Sequence, residues 1–459
     1  MELKPRDVQT QIKHKILEKY LRTWGGIILS GLKGPAAEMR SRGGSLKHHF
    51  VYVDCFAYCG RYSGNTEDIF LERTTGPVVG SPVIGVRALD ELVDMARKYN
   101  IDLKVNAILI EKEPEVFAGL LDTLSTEGLM FRVKETTDFS SLSAGEIAVV
   151  NADSTRMADK LLAYTKQRYT KAFYLLDTYG PSGIPHGFVH SIVRSDGHDV
   201  IINFPYYDLQ KKTGVVLTQS RKPHVAHWTA VFARKEWIEI VYEIESTRNY
   251  RNVLLDTFGL TVDDLEADPL FEEFAQDGSP TDRQLTELTE RRLVDLYRTV
   301  LLEMDPTLAV KTIRLRFPDK ERPMYHLFLT THDPTGALAL NEILFDAKIR
   351  EYELRYIRHI AKKQQPPPGQ LSLFPLAAMQ PDVPKPEMLD RPGVEESAGV
   401  ILLKFSGKTV TRREVYRELA DEIYFPREVD SAIKYLKRTK QAEYFGGLAH
   451  DTPIEFFTG

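Results

Sequence analysis

The sequence has few cysteines, no long apolar run and little net charge, and each absence excludes a class of protein. Two cysteines in 459 residues cannot form a disulfide framework. No stretch reaches the roughly 18 apolar residues of a membrane span, and the segment from Met1 to Arg6 lacks the apolar core of a signal peptide. With 42% hydrophobic and 27% charged residues, the composition is that of an ordinary globular protein. We therefore expect a cytoplasmic protein without a membrane partner.

The formal net charge of -5 conceals an uneven distribution. Residues Met1 to Phe50 hold ten Lys and Arg against four Asp and Glu, so this region could meet phosphates or simply be solvated. Residues Asp256 to Asp282 hold nine acids and no Lys or Arg. That stretch favours a solvated helical insertion, with repulsion of nucleic acid or binding of a basic partner as the alternative.

Apolar periodicity predicts an α/β fold. Between Gln11 and Leu29 apolar residues recur every three or four positions, which predicts a helix ending near Gly25-Gly26 or slightly beyond. Short continuous apolar runs follow, as is typical of strands buried on both faces of a parallel sheet. Two more runs, Thr312 to Phe317 and Tyr325 to Thr331, predict a closing hairpin. The five strand-like runs are Phe50 to Val53, Ala107 to Ile110, Ile147 to Val150, Ala172 to Leu176 and Val200 to Phe204.

Proline content divides the chain. Residues 363–398 hold eight of the 25 prolines and predict an extended linker. It separates an α/β domain at 1–362, with a helical insertion at about 227–304, from a small unit at 399–459. In that unit a strand from Val400 to Phe405, a helix opened by Thr411 and a second helix near Glu428 to Lys440 suggest a winged helix. Its candidate nucleic-acid-binding residues, on or beside the second helix, are Arg427, Lys434, Lys437 and Arg438, and binding of a protein by this unit is an equal alternative.

Four acids follow successive predicted strands, and the carboxyl ends of parallel strands are where such sheets bind ligands. They are Asp54, Glu111, Asp153 and Asp177. An acid after the second strand can hold a ribose diol, and one after the third can accept from an adenine amine. The alternative for each is a helix N-cap.

Several motifs lie around these acids and at both ends of the α/β domain. They are Lys13-His14, Tyr20-Leu21 and Trp24, then Asp54 to Tyr62, Gly80-Ser81-Pro82, Glu111, Met324 to Leu329, and His332-Asp333-Pro334-Thr335-Gly336. Together they resemble the three-Cys-motif partner (TcmP) family and, more broadly, class I S-adenosylmethionine-dependent methyltransferases. The resemblance covers roughly Gln11 to Ile360.

One departure is Tyr58, which stands where the family commonly has glycine. Cys55 and Cys59 are not the family's motif, since its name refers to cysteines of a neighbouring partner, and we interpret them as core or loop thiols.

The resemblance implies a Rossmann-like class I methyltransferase fold, with a mostly parallel sheet, a closing hairpin, a helical insertion and a C-terminal winged helix. It also implies S-adenosylmethionine as cofactor, with Glu111 at its ribose and Asp153 at its adenine. Four residues would line the methionine side of the cofactor. They are Asp54, Phe56, Gly60 and Gly64.

The residues after the fourth strand are the candidate catalytic residues. Methyl transfer to an adenine amine usually goes with Asp/Asn-Pro-Pro-Tyr, in which the acid or amide accepts from the amine and the aromatic stacks on a flipped base. Asp177-Thr178-Tyr179-Gly180 keeps the acid Asp177 and the aromatic Tyr179 without the prolines. Asn203-Phe204-Pro205-Tyr206 is a closer textual match, but it follows the fifth strand and we interpret it as a turn.

The predicted linker contains a pentapeptide that looks like a bacterial sliding-clamp motif. Its residues Gln370, Leu371, Leu373 and Phe374 would bind the clamp. The sequence therefore favours a methyltransferase acting on nucleic acid, most simply DNA, in DNA modification or phage defence. Two alternatives remain open. One is a catalytically degenerate scaffold that binds a three-Cys-motif protein, and the other is a metal-dependent nuclease, in which Glu111 would be essential.

Overall fold

The computed structural model describes residues 2–41, 47–65, 76–209, 222–234, 236–241, 282–316, 323–345, 393–422 and 424–458. An eight-stranded sheet forms its centre. A separate two-stranded ribbon, β2 (Arg61–Tyr62) and β3 (Val78–Val79), follows the first strand. The strands of the main sheet, in chain order, are β1 (Lys47–Asp54), β4 (Asp102–Glu111), β5 (Val133–Glu135), β6 (Ile147–Asn151), β7 (Thr170–Leu176), β8 (His198–Phe204), β9 (Ala309–Arg316) and β10 (Pro323–Thr331).

The strand order is β5-β6-β4-β1-β7-β8-β10-β9. The first six strands run parallel, whereas β10 is antiparallel to both β8 and β9. The predicted α/β class, the five predicted strands and the closing hairpin are thus confirmed, and the sheet is compatible with a Rossmann-like fold. Strand order reverses between β1 and β7, because the chain goes from β1 to β4 on one side and returns to β7 on the other. That reversal is where open parallel sheets bind ligands.

Helices cover both faces of the sheet. Strand residues alternate between two apolar clusters: Val51 and Val53 pack in one, and Phe50 and Tyr52 in the other. Burial on both faces explains why the strands are continuous apolar runs. Among the described residues, no helix combines the length and apolarity needed to cross a membrane. The α-helices of this part are α1 (Val8–Ser41), α2 (Ser81–Lys98), α3 (Pro114–Thr126), α4 (Ala158–Thr165), α5 (His186–Val193), α6 (Lys222–Phe232) and α7 (Asp282–Met304), and residues 206–209, 236–241 and 334–345 are also helical.

The sequence predicted that helix α1 ends near Gly25-Gly26 or slightly beyond. In the structure the helix continues to Ser41. A Cβ atom at Gly25 would lie 2.3 Å from Leu92 Cδ1 in α2. Gly25 therefore allows α1 and α2 to approach closely and does not end α1. This close packing offsets the low helix propensity of glycine. In the predicted helical insertion, α6, the 236–241 helix and α7 are helical as expected, and residues 242–281, with most of the acidic stretch, lie outside the described residues.

The C-terminal unit contains three helices and a three-stranded sheet of order β11-β13-β12. The capping box predicted at Thr411 is present, because its side chain accepts from the Glu414 amide while the Glu414 carboxylate accepts from the Thr411 amide. The assignment of this unit to the winged-helix class stays a prediction. Its elements are α8 (Val394–Phe405), β11 (Thr409–Thr411), α9 (Arg412–Glu418), α10 (Pro426–Arg438), β12 (Ala442–Glu443) and β13 (Pro453–Phe456).

The strand predicted at Val400 to Phe405 was wrong, because these residues form the second half of helix α8. Ala398, Ile401 and Phe405 face the C-terminal core at helical spacing, while Leu403 is 86% exposed. A short apolar run does not distinguish a strand from a helix unless its burial pattern is known. The helix begins at Val394, inside the predicted linker, and the rest of that linker, 363–392, lies outside the described residues.

The C-terminal unit packs against the edge of the main sheet. Lys311 of β9 donates to the carbonyl oxygens of Asp421 at 3.0 Å and Glu422 at 2.7 Å. The Thr312 amide, on the same edge strand, donates to Asp421 Oδ1 at 2.7 Å. On the 334–345 helix, Asn341 donates to the Tyr424 carbonyl oxygen at 2.7 Å. These bonds satisfy part of the edge strand that would otherwise be exposed.

Close packing of α2 on β1 depends on Gly85. A Cβ atom there would lie 2.1 Å from Cε1 of the buried Tyr52 ring. We expect Gly85→Ala to lower the free energy of unfolding by about 1–3 kcal/mol, because the rigid ring must move. The matched control is Gly31→Ala in helix α1, where a Cβ meets nothing within 4 Å. That change should raise the same free energy by up to about 1 kcal/mol. Urea denaturation measures both, and equal values for the two variants would contradict the packing argument.

Candidate functional site

Strand register sets the heights of the candidate acids at the carboxyl edge of the sheet. Asp54, the last residue of β1, pairs with Leu109 of β4 and Leu175 of β7. Glu111 and Asp177 come two residues after those partners, so they lie one side-chain row further out. Asp54 is fully buried, whereas Glu111 and Asp177 are half-buried at the edge. The edge thus presents Glu111 and Asp177 to a ligand and holds Asp54 beneath them.

The buried Asp54 carboxylate stabilises the loop that follows β1. Its carboxylate accepts from the Tyr52 hydroxyl at 3.1 Å and from the Phe56 amide at 3.2 Å. Burial raises the pKa of the Asp54 carboxyl to about 7, against hydrogen bonds from Ser81, Phe56 and Tyr52 that lower it. The carboxyl therefore connects the end of β1 to the start of α2, where Ser81 is the first residue.

The loop after β1 is fastened across both neighbouring strands. The Cys55 amide donates to the Leu175 carbonyl oxygen of β7 at 3.1 Å, and the Ala57 amide donates to that of Ile110 in β4 at 2.9 Å. Phe56 is half-buried, and its ring lies 2.7 Å from where a Cβ of Gly183 would be, so it contacts the loop after β7. The loop therefore closes over Asp54 and bridges the two strands at the switch point.

Tyr58 has a left-handed backbone conformation, with φ at +50°. This region favours glycine, which is the residue that the sequence resemblance implies at this position. The Tyr58 ring packs 5.8 Å from the Tyr62 ring, and Lys4 Nζ lies 5.8 Å from its centroid. The loop thus follows a path that suits glycine, and the departure lies in the side chain.

The two glycines predicted beside the cofactor have backbone partners. The Gly60 carbonyl oxygen accepts from the Gly80 amide, just before α2, at 2.7 Å. The Gly64 carbonyl oxygen accepts from the Arg6 amide at 2.7 Å, and the Ser63 amide donates to the Lys4 carbonyl oxygen at 3.0 Å. The N-terminal segment therefore lies along the far end of this loop and covers Gly64.

Glu111 and Asp153 each use one oxygen to hold local backbone. Glu111 Oε1 accepts from the Glu113 amide at 2.9 Å, and Asp153 Oδ1 accepts from the Thr155 amide at 3.0 Å and its hydroxyl at 2.6 Å. Asp153 is therefore the N-cap of the short 3-10 helix Ser154–Met157, which is the alternative that the sequence left open. Among the described residues, no hydrogen-bond donor reaches Glu111 Oε2.

Asp177 differs from Glu111 and Asp153 because its partners are side chains from distant elements. Lys13 Nζ of α1 lies 2.7 Å from Oδ1 and 2.8 Å from Oδ2. Asn203 Nδ2 of β8 donates to Asp177 Oδ1 at 2.7 Å and to the Thr178 carbonyl oxygen at 3.3 Å. Lys13, Asp177 and Asn203 are thus in direct contact. The sequence analysis had assigned them separately, to a helix motif, a strand end and a turn.

Aromatic side chains surround Asp177. Tyr179 is 73% exposed, so one face of its ring is available for stacking. Tyr325 of β10 is half-buried, and the centroid of its ring lies 5.2 Å from Lys13 Nζ. Burial raises the pKa of Tyr325 to about 12, and the negative charge of Asp177 contributes to this increase. Burial together with the charges of Tyr179 and Asp177 also raises the Tyr62 pKa well above its ordinary value. An acid, an amide and exposed aromatic surface therefore meet after β7.

The second textual match to an adenine motif is not the turn that the sequence predicted, because β8 runs to Phe204 and a helix begins at Tyr206. Phe204 and Tyr206 are both fully buried, and Pro205 between them is buried as well. The Tyr206 ring packs edge-on against His326 at 5.7 Å. A ring in the core cannot stack on a base, so of this segment only Asn203 reaches the edge.

The remaining candidates fall in three places. Cys55 and Cys59 are free, buried thiols, as predicted. Gln370, Leu371, Leu373 and Phe374 lie outside the described residues, so the clamp motif stays a prediction. Among the described residues, no group of three or more His, Cys, Asp or Glu side chains is placed to hold a metal ion.

The basic residues of the C-terminal unit differ in their contacts. Lys437 donates to the Tyr444 carbonyl oxygen at 2.5 Å, so it supports the strand pair that follows α10. Arg427 lies 3.9 Å from Glu342 of the neighbouring helix. Lys434 and Arg438 are exposed. The sequence analysis missed Phe445, which is 85% exposed in the loop between β12 and β13, because an isolated aromatic gives no signal of its exposure.

It also missed Lys13 and Asn203 as site residues. Lys13 was part of a recognised motif, but nothing in the sequence indicates which strand end lies opposite a helix residue 164 positions from Asp177. Asn203 was noted only as part of the turn. A strand-end amide directly beside a strand-end acid was the one signal that pointed to it.

Comparison with known proteins adds little. No family model matches the chain, and no curated protein matches it. Among solved structures, the chain is similar to protein LPL1258 from Legionella pneumophila, of family model DUF519, with 12% sequence identity and a TM-score of 0.32. That match covers 71% of this chain and 86% of the other. A likeness of this size carries no argument about function.

We expect Asp54→Asn to change the pH dependence of stability. Asp54 has a folded pKa of about 7 against an ordinary value of 3.8, so the folded state binds more protons between these values and the free energy of unfolding falls as pH rises through that window. An amide avoids the buried charge and can donate to the Tyr52 hydroxyl. The variant should therefore gain on the order of a few kcal/mol over wild type between pH 4 and pH 8.

Denaturant unfolding at several pH values measures this difference. Asp199, whose pKa burial also raises to about 7, titrates in both proteins and cancels in the comparison. A difference that stays constant from pH 4 to pH 8 would show that Asp54 is ionised in the same range in folded and unfolded protein.

Proposed function

We propose that this chain has a class I methyltransferase fold of the three-Cys-motif partner type and uses S-adenosylmethionine to methylate nucleic acid. One observation carries the proposal: two acids, Glu111 and Asp177, stand in the outermost side-chain row on either side of the strand-order switch. That row is where a cofactor and an acceptor would meet. The mostly parallel sheet with its closing hairpin supports the same proposal.

Glu111 and Asp153 fit the ribose and adenine side of the cofactor. Glu111 keeps one carboxylate oxygen without a donor from the described residues, and a carboxylate at this place can accept from ribose hydroxyls. Asp153 Oδ1 is already occupied by Thr155, which leaves Oδ2 for an adenine amine. Asp54 would act through the loop, since it is fully buried beneath it. The cofactor, when bound, supplies an electrophilic methyl group.

Asp177 and Tyr179 fit a planar amine acceptor. The exposed Tyr179 ring can stack on a flipped base, and an Asp177 oxygen can accept from its exocyclic amine. Asn203 fixes the orientation of the carboxylate from behind, and Lys13 lies within 2.8 Å of both oxygens. The chain's own residues thus orient the amine, while the buried floor beneath them excludes water from one side.

The scaffold alternative is favoured by the same ion pair. Because Lys13 engages both oxygens of Asp177, an amine must share or displace that contact. The Tyr58 side chain, in place of the expected glycine, adds bulk to the loop that would approach the cofactor. In that alternative the edge holds a three-Cys-motif protein and no cofactor.

We further propose that the C-terminal unit is a winged helix that binds DNA. Helix α10 presents Lys434 and Arg438, which are exposed and can meet phosphates. Phe445, exposed after β12, sits where a winged helix has its wing. Lys437 and Arg427 contribute less to such contacts, since Lys437 already holds the Tyr444 carbonyl oxygen and Arg427 lies near Glu342.

Calorimetric titration with S-adenosylmethionine tests the first proposal. We expect wild type to bind and Glu111→Gln to bind at least about tenfold more weakly, because an uncharged amide replaces the carboxylate that accepts from the ribose hydroxyls. Glu113→Gln is the matched control: its carboxylate is exposed beside Lys112, and its backbone amide still reaches Glu111. It should bind as wild type does.

Absence of binding by folded wild type, together with binding by Tyr58→Gly, would show that the Tyr58 side chain closes the site. Absence of binding by both would favour the scaffold. Equal affinities for Glu111→Gln and wild type would contradict the placement of the ribose.

Salt-dependent DNA binding tests the second proposal. The double variant Lys434→Ala, Arg438→Ala should bind duplex DNA more weakly and reduce the slope of log affinity against log salt by about 1 for each phosphate that the variant no longer neutralises. Lys408→Ala removes an exposed cation of the same unit, in the loop between α8 and β11, and should leave the slope unchanged. If the double variant has the wild-type slope, α10 does not contact phosphates.

A further inference from the structure

One aromatic side chain of the C-terminal unit lies in solvent, directly after a strand whose other apolar residues are buried. Side chains alternate along this segment: Ala442 and Tyr444 are 2% and 8% exposed and belong to the core, whereas Phe445 is 85% exposed. At that exposure both faces of the Phe445 ring are in water. An apolar ring in water gains free energy from any flat apolar partner that covers it.

The backbone that carries this ring is held against the last turn of α10. Lys437 donates to the Tyr444 carbonyl oxygen at 2.5 Å, and its ammonium group lies 3.9 Å from the centroid of the Tyr444 ring. Phe445 is the next residue. Lys434 lies one turn before Lys437 on the same face of α10, Arg438 lies one turn after Lys434, and both are exposed. The side of the ring that adjoins α10 is therefore positively charged.

The strands on the other side of the ring carry negative charge. Glu443 of β12 and Glu455 of β13 are directly opposite each other, and both are exposed. Neither carboxylate forms an ion pair with another of the described residues. Like charges at opposite positions of two strands repel each other, and together these two repel phosphate groups.

This division of charge limits where a duplex can lie. Phosphates are attracted along α10 and repelled over β12 and β13. Phe445 stands between these two regions, because it follows the residue that Lys437 holds and comes two positions after Glu443. A duplex along α10 therefore meets a repulsive surface beyond the Phe445 ring.

The ring itself can stack on a base. Stacking of a base on an aromatic side chain contributes about tenfold to affinity and does not depend on sequence, since every base has a flat face. Insertion of the ring between two stacked pairs would require duplex on both sides of it, including the side of Glu443 and Glu455. Stacking on the last pair of a duplex requires duplex on one side only, which agrees with the division of charge.

We propose that the C-terminal unit binds the end of a DNA duplex, with Phe445 stacked on the terminal base pair and α10 along the backbone behind it. This inference rests on the proposed binding of DNA by α10 and adds which part of the DNA is recognised. Phe445 supplies the affinity for an exposed pair, and the two acids disfavour uninterrupted duplex. The ligand is therefore DNA in which a base pair is left uncovered at an end.

Fluorescence anisotropy at constant salt tests the proposal with two forms of one short duplex. One form has open ends, and in the other a flexible linker without bases closes each end. Wild type should bind the open form about tenfold more tightly. Phe445→Ala should bind both forms equally, and Phe445→Trp should keep the preference. The matched control is Phe131→Ala, which removes a ring that is 87% exposed outside the C-terminal unit and should keep it too.

The acids give an independent arm of the same experiment. The double variant Glu443→Gln, Glu455→Gln should bind the closed form more tightly than wild type does, so that its preference for open ends falls. Both side chains are exposed, so we expect the variant to fold.

Each remaining outcome decides between the two proposals. Equal binding of both forms by wild type, or a preference that survives in Phe445→Ala, would overturn the recognition of ends and leave binding by α10 intact. Failure of wild type to bind either form would overturn both. Binding of wild type to anionic lipid vesicles but to neither DNA, lost in Phe445→Ala, would assign the ring to a membrane surface instead.

Discussion

The register of β1 with its two neighbours is the constraint on which the edge of the sheet depends. Because β1 ends level with Leu109 and Leu175, the adjacent strands carry Glu111 and Asp177 one row beyond it. The loop after Asp54 then crosses the space above β1 and bonds to both neighbours through Cys55 and Ala57. A shift of one residue would turn each side chain to the other face of the sheet. Register therefore separates the carboxyl that holds the loop from the carboxyls that a ligand can reach.

The ion pair between Lys13 and Asp177 decides how this edge can be used. It joins the first helix to the residue that follows β7, and its partial burial makes it less subject to screening than an exposed pair. With Lys13 in place, the carboxylate has less capacity to accept from a second cation or amine. The enzyme and scaffold proposals therefore make opposite demands on one contact. An enzyme must share it with the acceptor, whereas a scaffold can keep it intact.

Sequence patterns predicted what depends on local order and burial. The five central strands and the hairpin follow from continuous apolar runs, and the Thr411–Glu414 capping box follows from residues three positions apart. The pattern failed at Gly25 and at Val400–Phe405, where the outcome depends on the packing partner. The acids of the candidate site could be predicted from the sequence, because residues such as Asp177 directly follow predicted strands. Which side chain from α1 or β8 faces each acid is set by tertiary packing, and the sequence carries no direct sign of it.

The two blocks of the family resemblance lie at different places in the structure. The first, from Lys13 to Glu111, supplies residues that meet at the carboxyl edge. The second, Met324 to Leu329 and His332 to Gly336, begins at the same edge, where the Tyr325 ring lies 5.2 Å from Lys13 Nζ. Its last residues lie at the other end of β10, where the Arg413 guanidinium donates to the His332 carbonyl oxygen at 2.6 Å. A Cβ at Gly336 would lie 2.7 Å from the Tyr20 hydroxyl of α1. These last residues therefore join the first helix, the sheet and the C-terminal unit. The proposal of methyl transfer rests on the residues at the carboxyl edge, and on whether that edge can admit a cofactor beside Tyr58 and an amine beside Lys13.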